Sequence, residues 1–186
     1  MTKNALLNSL ERSPVIAAVR DDGWKKAIDS PAEVVFYLKA NLLTVKDRVA
    51  EAVKMGKSVF VHIDLADGIG KDKTGIEFLQ SCGVTGIIST RNQFIAFARE
   101  RGLLTVQRFF ALDSQGLGSI RDMNKNSSAD FIEIMPGVVP KVIEKFTENG
   151  FLVIAGGLIE TKAEVTTALT AGAVAVSTGK DSLWNI

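Results

Sequence analysis

The residues with the most chemistry to offer interrupt apolar runs. In "SVFVHIDL" (58–65), His62 and Asp64 alternate with Val61, Ile63 and Leu65. Successive strand residues point to opposite faces, so an aliphatic set laid against helices leaves His62 and Asp64 together on the other face. The same alternation in "DFIEIMP" (130–136) sends Ile132 and Ile134 toward helices and turns Glu133 the other way. In "LLTVQRFF" (103–110) it assigns Leu104 and Val106 to the helices and leaves Thr105 and Gln107 opposite, while Arg20 closes "VIAAVR" (15–20). Arg20, His62, Asp64, Gln107 and Glu133 are more polarity than an apolar interior holds without partners or a ligand. They predict a polar-floored ligand pocket. Proton transfer by His62, Asp64 or Glu133 is one chemistry open to such a set, and hydrogen bonding to a polar ligand is another. Each residue also has a plainer role open to it. His62 can be a hydrogen-bonded core histidine, Arg20 and Glu133 can pair as buried ions, and Asp64, standing before "ADGIGKD", can fix a loop.

A second constellation lies near the C-terminus. "VIAGGLIETKAEV" (153–165) ends an apolar run in Gly156 and Gly157 and then begins a helix, and "VSTGKDSLW" (176–184) offers Ser177, Thr178 and Gly179 before a short helical stretch. Glycines let backbone N–H groups come close to an anion, and a helix start adds a positive dipole end. The plainer alternative is a tight turn at the glycines and a helix cap at "STGKDS". A nucleotide P-loop is excluded, because Val174 and Asp181 stand where Gly and Ser or Thr are needed. "GLGSIR" (116–121) does not complete a dinucleotide fingerprint, and no metal-ligand cluster is spaced along the chain. No cofactor is expected.

These residues need elements to hold them. Eight short apolar runs begin near residues 15, 34, 58, 86, 103, 130, 151 and 173. Between them, "TVKDRVAEAVKMG" (44–56), "NQFIAFARERG" (92–102) and "KAEVTTALTAG" (162–172) repeat apolar residues three or four apart, which is amphipathic helix spacing. Continuously apolar strands separated by helices read as a buried parallel sheet. Eight such units predict a small α/β protein, a (β/α)8 barrel of the TIM type with short connections, forming a single domain over 1–186. An open doubly wound sheet is the alternative. In a barrel, phosphate commonly sits on the loops after strands seven and eight, so Gly156, Gly157, Ser177, Thr178 and Gly179 become the expected phosphate-binding set.

Composition narrows the partners. The 186 residues carry 22 Lys plus Arg against 21 Asp plus Glu, so any nucleic-acid partner needs a local basic patch. The lone cysteine, Cys82, rules out an intrachain disulfide and points to a reducing, cytoplasmic setting. "MTKNALLNSLERS" lacks a signal peptide's uninterrupted apolar segment, and no stretch reaches the roughly 18 apolar residues of a membrane span. A homo-oligomer stays open.

Taken together, "VIAAVRD", "VFVHIDLADGIGKDKTGIEFL", "GIISTR", "LLTVQRFFALDS", "FIEIMPGVVPKVI", "VIAGGLIETKAEV" and "AGAVAVSTGKDSLW" resemble the glycerol uptake operon antiterminator regulatory proteins, in the family's order from residue 14 to the C-terminus. The resemblance implies a small (β/α)8 barrel that senses glycerol 3-phosphate and binds the leader mRNA of glycerol-utilisation genes so that transcription passes a terminator. It implies no catalysis. It also implies that Arg20, His62, Asp64, Gln107 and Glu133 meet the ligand, with its phosphate on Gly156, Gly157, Ser177, Thr178 and Gly179. Two stretches depart from the family's usual pattern: "YLKANLL" replaces a small-residue turn after strand two, and "STGKDSLW" replaces Ser-Asn-Lys before Leu-Trp.

For RNA, the local basic candidates are Arg91, Arg99 and Arg101 around the fourth helix, or Lys71 and Lys73. A charged helix face is ordinarily solvated surface, and no aromatic-rich RNA signature accompanies these residues. Two other functions fit the residues themselves. One is an enzyme, isomerase or aldolase-like, acting on a small phosphorylated metabolite; the other is an anion-binding barrel that works through a protein partner.

Overall fold

β-Branched and aromatic residues dominate the eight apolar runs, and all eight form strands of one parallel sheet that closes on itself. The computed structural model describes residues 1–111 and 129–186. The strands are β1 (Val15–Val19), β2 (Val34–Tyr37), β3 (Ser58–His62), β4 (Gly86–Ser89), β5 (Leu104–Phe110), β6 (Phe131–Met135), β7 (Val153–Gly156) and β8 (Ala175–Thr178). They neighbour one another in chain order, and β8 returns to β1 with Val15 opposite Val176. The helices among the described residues are α1 (Lys3–Arg12), α2 (Trp24–Asp29), α3 (Val45–Lys54), α4 (Lys73–Ser81), α5 (Asn92–Glu100), α6 (Pro140–Thr147) and α7 (Lys162–Thr170). The expected (β/α)8 architecture is what the chain adopts.

Alternation along the strands splits the core in two. Outward residues, among them Val59, Val61, Ile87, Ile132 and Ile134, pack under the surrounding helices. Inward residues, among them Ile16, Phe36, Phe60, Ile88, Val106 and Phe131, fill the barrel itself. Phe36 and Phe60 meet inside with ring centroids 5.6 Å apart. Burying each such side chain stabilises the fold by roughly 1.5–3 kcal/mol. Gly86 makes room for the Phe60 ring: a Cβ there would lie 2.4 Å from Phe60 Cε1 and 2.3 Å from the Leu104 carbonyl oxygen. Helix α1 lays Leu6 and Leu10 into the same inner cluster, and Ser58 at the start of β3 donates to Met1 sulfur, so α1 stoppers the amino end of the barrel.

Three orientation expectations are corrected here. On β5 the inward set is Leu104, Val106 and Arg108, so Thr105 and Gln107 face the helices. Their polarity is satisfied there: the Thr105 N–H and hydroxyl both donate to Asp130 Oδ2 at 2.9 Å, and Gln107 Nε2 donates to Asn92 Oδ1 at the start of α5. On β3 the strand stops at His62. Ile63–Leu65 form a 3-10 turn, which leaves Leu65 exposed instead of packed under a helix. On β1 the strand stops at Val19, and Arg20 is an exposed residue that opens the 3-10 turn Asp21–Gly23.

Candidate functional site at the carboxyl ends of the strands

Charged groups gather where β5, β6 and β8 end. Arg108 Nε donates to Glu133 Oε2 at 2.6 Å, and Ser177 Oγ donates to Glu133 Oε1 at 2.6 Å, so both carboxylate oxygens are occupied. Glu133 is 1% exposed and Arg108 8%. The ion pair that the sequence suggested between Arg20 and Glu133 is therefore made by Arg108, whose place inside the barrel the hydrophobic alternation of its own strand concealed. The charge next to Gln107 in "QRFF" was the available signal: a buried Glu133 requires a cation on the adjacent strand.

Gly156 closes β7 beside this cluster. A Cβ on it would lie 2.5 Å from Glu133 Oε1 and 2.7 Å from Ser177 Oγ, so only glycine leaves the carboxylate and hydroxyl in contact. Gly157 follows with φ +75°, and Leu158 continues in the left-handed region at φ +61° while its side chain stays exposed. Left-handed backbone is uncommon for leucine and is held only where the surroundings impose it. The start of α7 imposes part of it through a capping box: Glu164 Nα–H donates to Thr161 Oγ1, and the N–H groups of Glu160 and Thr161 both donate to Glu164 Oε2.

A cavity of about 380 Å³ opens above the cluster, lined by Arg108, Glu133, Ser177 and Thr178 on its polar side and by Leu38, Met135 and Leu158 on its apolar side. Ala18, Gly157, Ile159, Glu160, Gly179 and Lys180 also line it. That volume is in the range of small-ligand pockets. Among the described residues, the N–H groups of Gly157, Leu158 and Gly179 donate no hydrogen bond. Thr178 is on the opposite strand face from Ser177, donating to the Ile159 carbonyl and accepting from the Lys180 N–H, which ties the two glycine loops to each other.

The remaining candidates are elsewhere. Asp64 has a loop-fixing position: its carboxylate accepts from Ser89 Oγ at 2.9 Å, from the Thr90 N–H at 2.7 Å and from Thr90 Oγ1 at 3.0 Å. His62 is 3% exposed, and its Nδ1 has no hydrogen-bond partner among the described residues. Burial first, and then the positive charge of Arg108, push its pKa down to about 4 against the pull of Asp64. Arg20 lines a neighbouring cavity with Asp22, Lys26 and Trp184. Gln107 stands outside the barrel wall, as described above. The segment "GLGSIR" and the Asp-Ser of "ALDS" lie outside the described residues.

The basic candidates do not form one patch. Arg91 caps the start of α5 on the carboxyl face, with Nε 3.9 Å from Asp64, whereas Arg101 follows the far end of that helix and pairs with Glu77. Arg99 has a partner as well, and Lys73 sits 3.7 Å from Glu100. No helix among the described residues is long and apolar enough to cross a membrane.

The fold and the cavity's position define a (β/α)8 barrel whose candidate site lies on the face where such barrels carry function. The chain belongs to the glycerol-3-phosphate responsive antiterminator family, whose model matches residues 15–184. It is 36% identical over 184 residues to YgcP of Escherichia coli (strain K12), an uncharacterized protein, covering 97% of this chain and 96% of that one. Among solved structures it is similar to the glycerol uptake operon antiterminator regulatory protein of Listeria monocytogenes str. 4b F2365, at 33% identity and TM-score 0.85, over 91% of this chain and 94% of the other. It is also similar to a glycerol uptake operon antiterminator-related protein of Thermotoga maritima MSB8, at 35% identity and TM-score 0.82, over 92% and 98%. A deoxyribose phosphate aldolase of Aeropyrum pernix, 14% identical with TM-score 0.70 over 98% and 96%, shares the fold alone.

Proposed function

We propose that this protein is a non-enzymatic sensor that binds glycerol 3-phosphate in the cavity above Arg108, Glu133 and Ser177, and acts as a transcription antiterminator on the leader mRNA of glycerol-utilisation genes. The observation that carries the ligand reading is the junction of a buried Arg–Glu–Ser cluster with two glycine loops around one cavity, in a chain of this family. The phosphate lies on the backbone N–H groups of Gly157, Leu158 and Gly179, beside Gly156, Ser177 and Thr178. The glycerol hydroxyls meet Arg108 and Glu133. Hydrogen bonds to two hydroxyls reject analogues that lack them far better than an apolar pocket does.

The geometry weighs against the enzyme reading. Glu133 has both oxygens engaged, Asp64 is held by Ser89 and Thr90, and His62 does not line the cavity, so none of the three is poised to move a proton. For RNA the support is family membership, with Arg91, Arg99 and Arg101 as the basic candidates and carboxylates beside Arg91 and Arg101 limiting their pull.

Thermal unfolding with glycerol 3-phosphate, glycerol and inorganic phosphate in parallel tests the ligand reading. A ligand at about 100 times its dissociation constant adds roughly 2.7 kcal/mol to the native state, so glycerol 3-phosphate is expected to shift the midpoint well beyond either fragment. Equal shifts with phosphate and glycerol 3-phosphate would reduce the cavity to an anion site. Salt-dependent binding of a leader RNA, altered by glycerol 3-phosphate, tests the regulatory half; turnover of glycerol or triose phosphates would restore the enzyme.

A further inference from the structure

The carboxyl face holds a second cavity, of about 410 Å³, which meets the first across Ala18, Leu38 and Gly179. The junction beside Gly179 is open: a Cβ there would have the Ala18 carbonyl oxygen, at 3.5 Å, as its one neighbour within 4 Å among the described residues. A ligand whose phosphate rests on the Gly157 and Gly179 loops therefore has room on both sides of that phosphate. Glycerol 3-phosphate uses one side.

The charges lining the two cavities argue for what occupies the other side. The first is lined by Arg108 and Lys180 against Glu133 and Glu160, the second by Arg20 and Lys26 against Asp22 and Asp181. Among the described residues each is formally balanced. A phosphate monoester brings nearly two negative charges at neutral pH, which such a lining leaves to backbone dipoles, whereas a phosphodiester brings a single one. In the second cavity Lys26 and Asp181 satisfy each other at 2.7 Å. Arg20 and Asp22 are exposed and, among the described residues, their side chains have no partner. A donor-only guanidinium and an acceptor-only carboxylate on one wall suit a group that both accepts and donates, which a diol does. A second phosphate would meet Asp22, and an ammonium would meet Arg20.

We propose that the site takes diesters of glycerol phosphate, with the second, polyhydroxylated substituent in the second cavity, donating to Asp22 and accepting from Arg20. This rests on the reading of the first cavity as the glycerol phosphate site. The test is calorimetric titration of the full chain, and of its Arg20→Ala and Asp22→Ala variants, with glycerol 3-phosphate and with glycerophosphoglycerol. The diester is expected to bind about a hundredfold more tightly than the monoester, the effect of two hydrogen bonds to charged groups at about tenfold each. Each substitution is expected to reduce that preference about tenfold while leaving glycerol 3-phosphate affinity unchanged, because neither residue lines the first cavity. Exclusion of the diester, or a preference that neither substitution reduces, overturns the proposal and leaves the monoester reading standing. If neither compound binds, the monoester reading falls with it.

Discussion

Arg108 and Glu133 face each other across β5 and β6, in register in the sheet, and are joined by a 2.6 Å contact in a site that water hardly reaches. Breaking such a pair from one side leaves a buried charge uncompensated, which costs about 3–5 kcal/mol, whereas replacing both partners by apolar residues is often neutral. Arg108→Met and Glu133→Leu are each therefore expected to lower the unfolding free energy by roughly that amount, and the two combined to recover most of the loss. Urea denaturation of the two single variants and the double variant measures it. Additive losses would mean that the two residues are not coupled.

Gly157→Val probes the proposed phosphate loop. At φ +75° a side chain costs about 1–2 kcal/mol, and its Cβ would start 2.7 Å from Met135 Cε, which has to move. Met135 is a cavity wall and its end is flexible, so the barrel is expected to survive with a lowered melting point, native circular dichroism and no thermal shift with glycerol 3-phosphate. Unchanged affinity would move the phosphate elsewhere.

His62 sets an acid limit on stability. Its folded pKa of about 4 lies below the ordinary histidine value of 6.5, so the unfolded chain takes up its proton first as pH falls. The stability contributed by neutral His62 is complete above pH 6.5 and is lost between pH 6.5 and 4, about 3 kcal/mol in all. A plot of unfolding free energy against pH is expected to fall across that window, and to fall less steeply there in His62→Leu. Identical slopes in the two chains would place the acid sensitivity in other groups.

Gly86→Ala tests packing at the head of β4. The added methyl meets a main-chain carbonyl that cannot step aside, as well as the Phe60 ring. Overpacking of this kind costs about 1–3 kcal/mol, and the melting temperature is expected to drop accordingly. A melting temperature within a degree of the parent would show that the strand can shift.

Much of this architecture was legible in the amino-acid order. The eight apolar runs became the eight strands, and "TVKDRVAEAVKMG", "NQFIAFARERG" and "KAEVTTALTAG" became α3, α5 and α7. The helix start read in "VIAGGLIETKAEV" is a capping box. The facing of β5 was not legible, because the rule that polar residues point inward fails when a helix start or a neighbouring aspartate satisfies them, as Asn92 does for Gln107 and Asp130 for Thr105. Arg108 was hidden for the same reason, one residue out of phase. Leu65 and Arg20 were misplaced because strand ends are set by the turns that follow them, and two 3-10 turns cut β1 and β3 short.

Helix α1 plugs the amino end of the barrel with Leu6 and Leu10. With that end closed, the chamber opens at the carboxyl face, and among the described residues Leu38 and Lys180 line the doorway to Arg108. Any large body resting across that doorway, whether polypeptide or nucleic acid, would prolong the stay of what is inside without touching it.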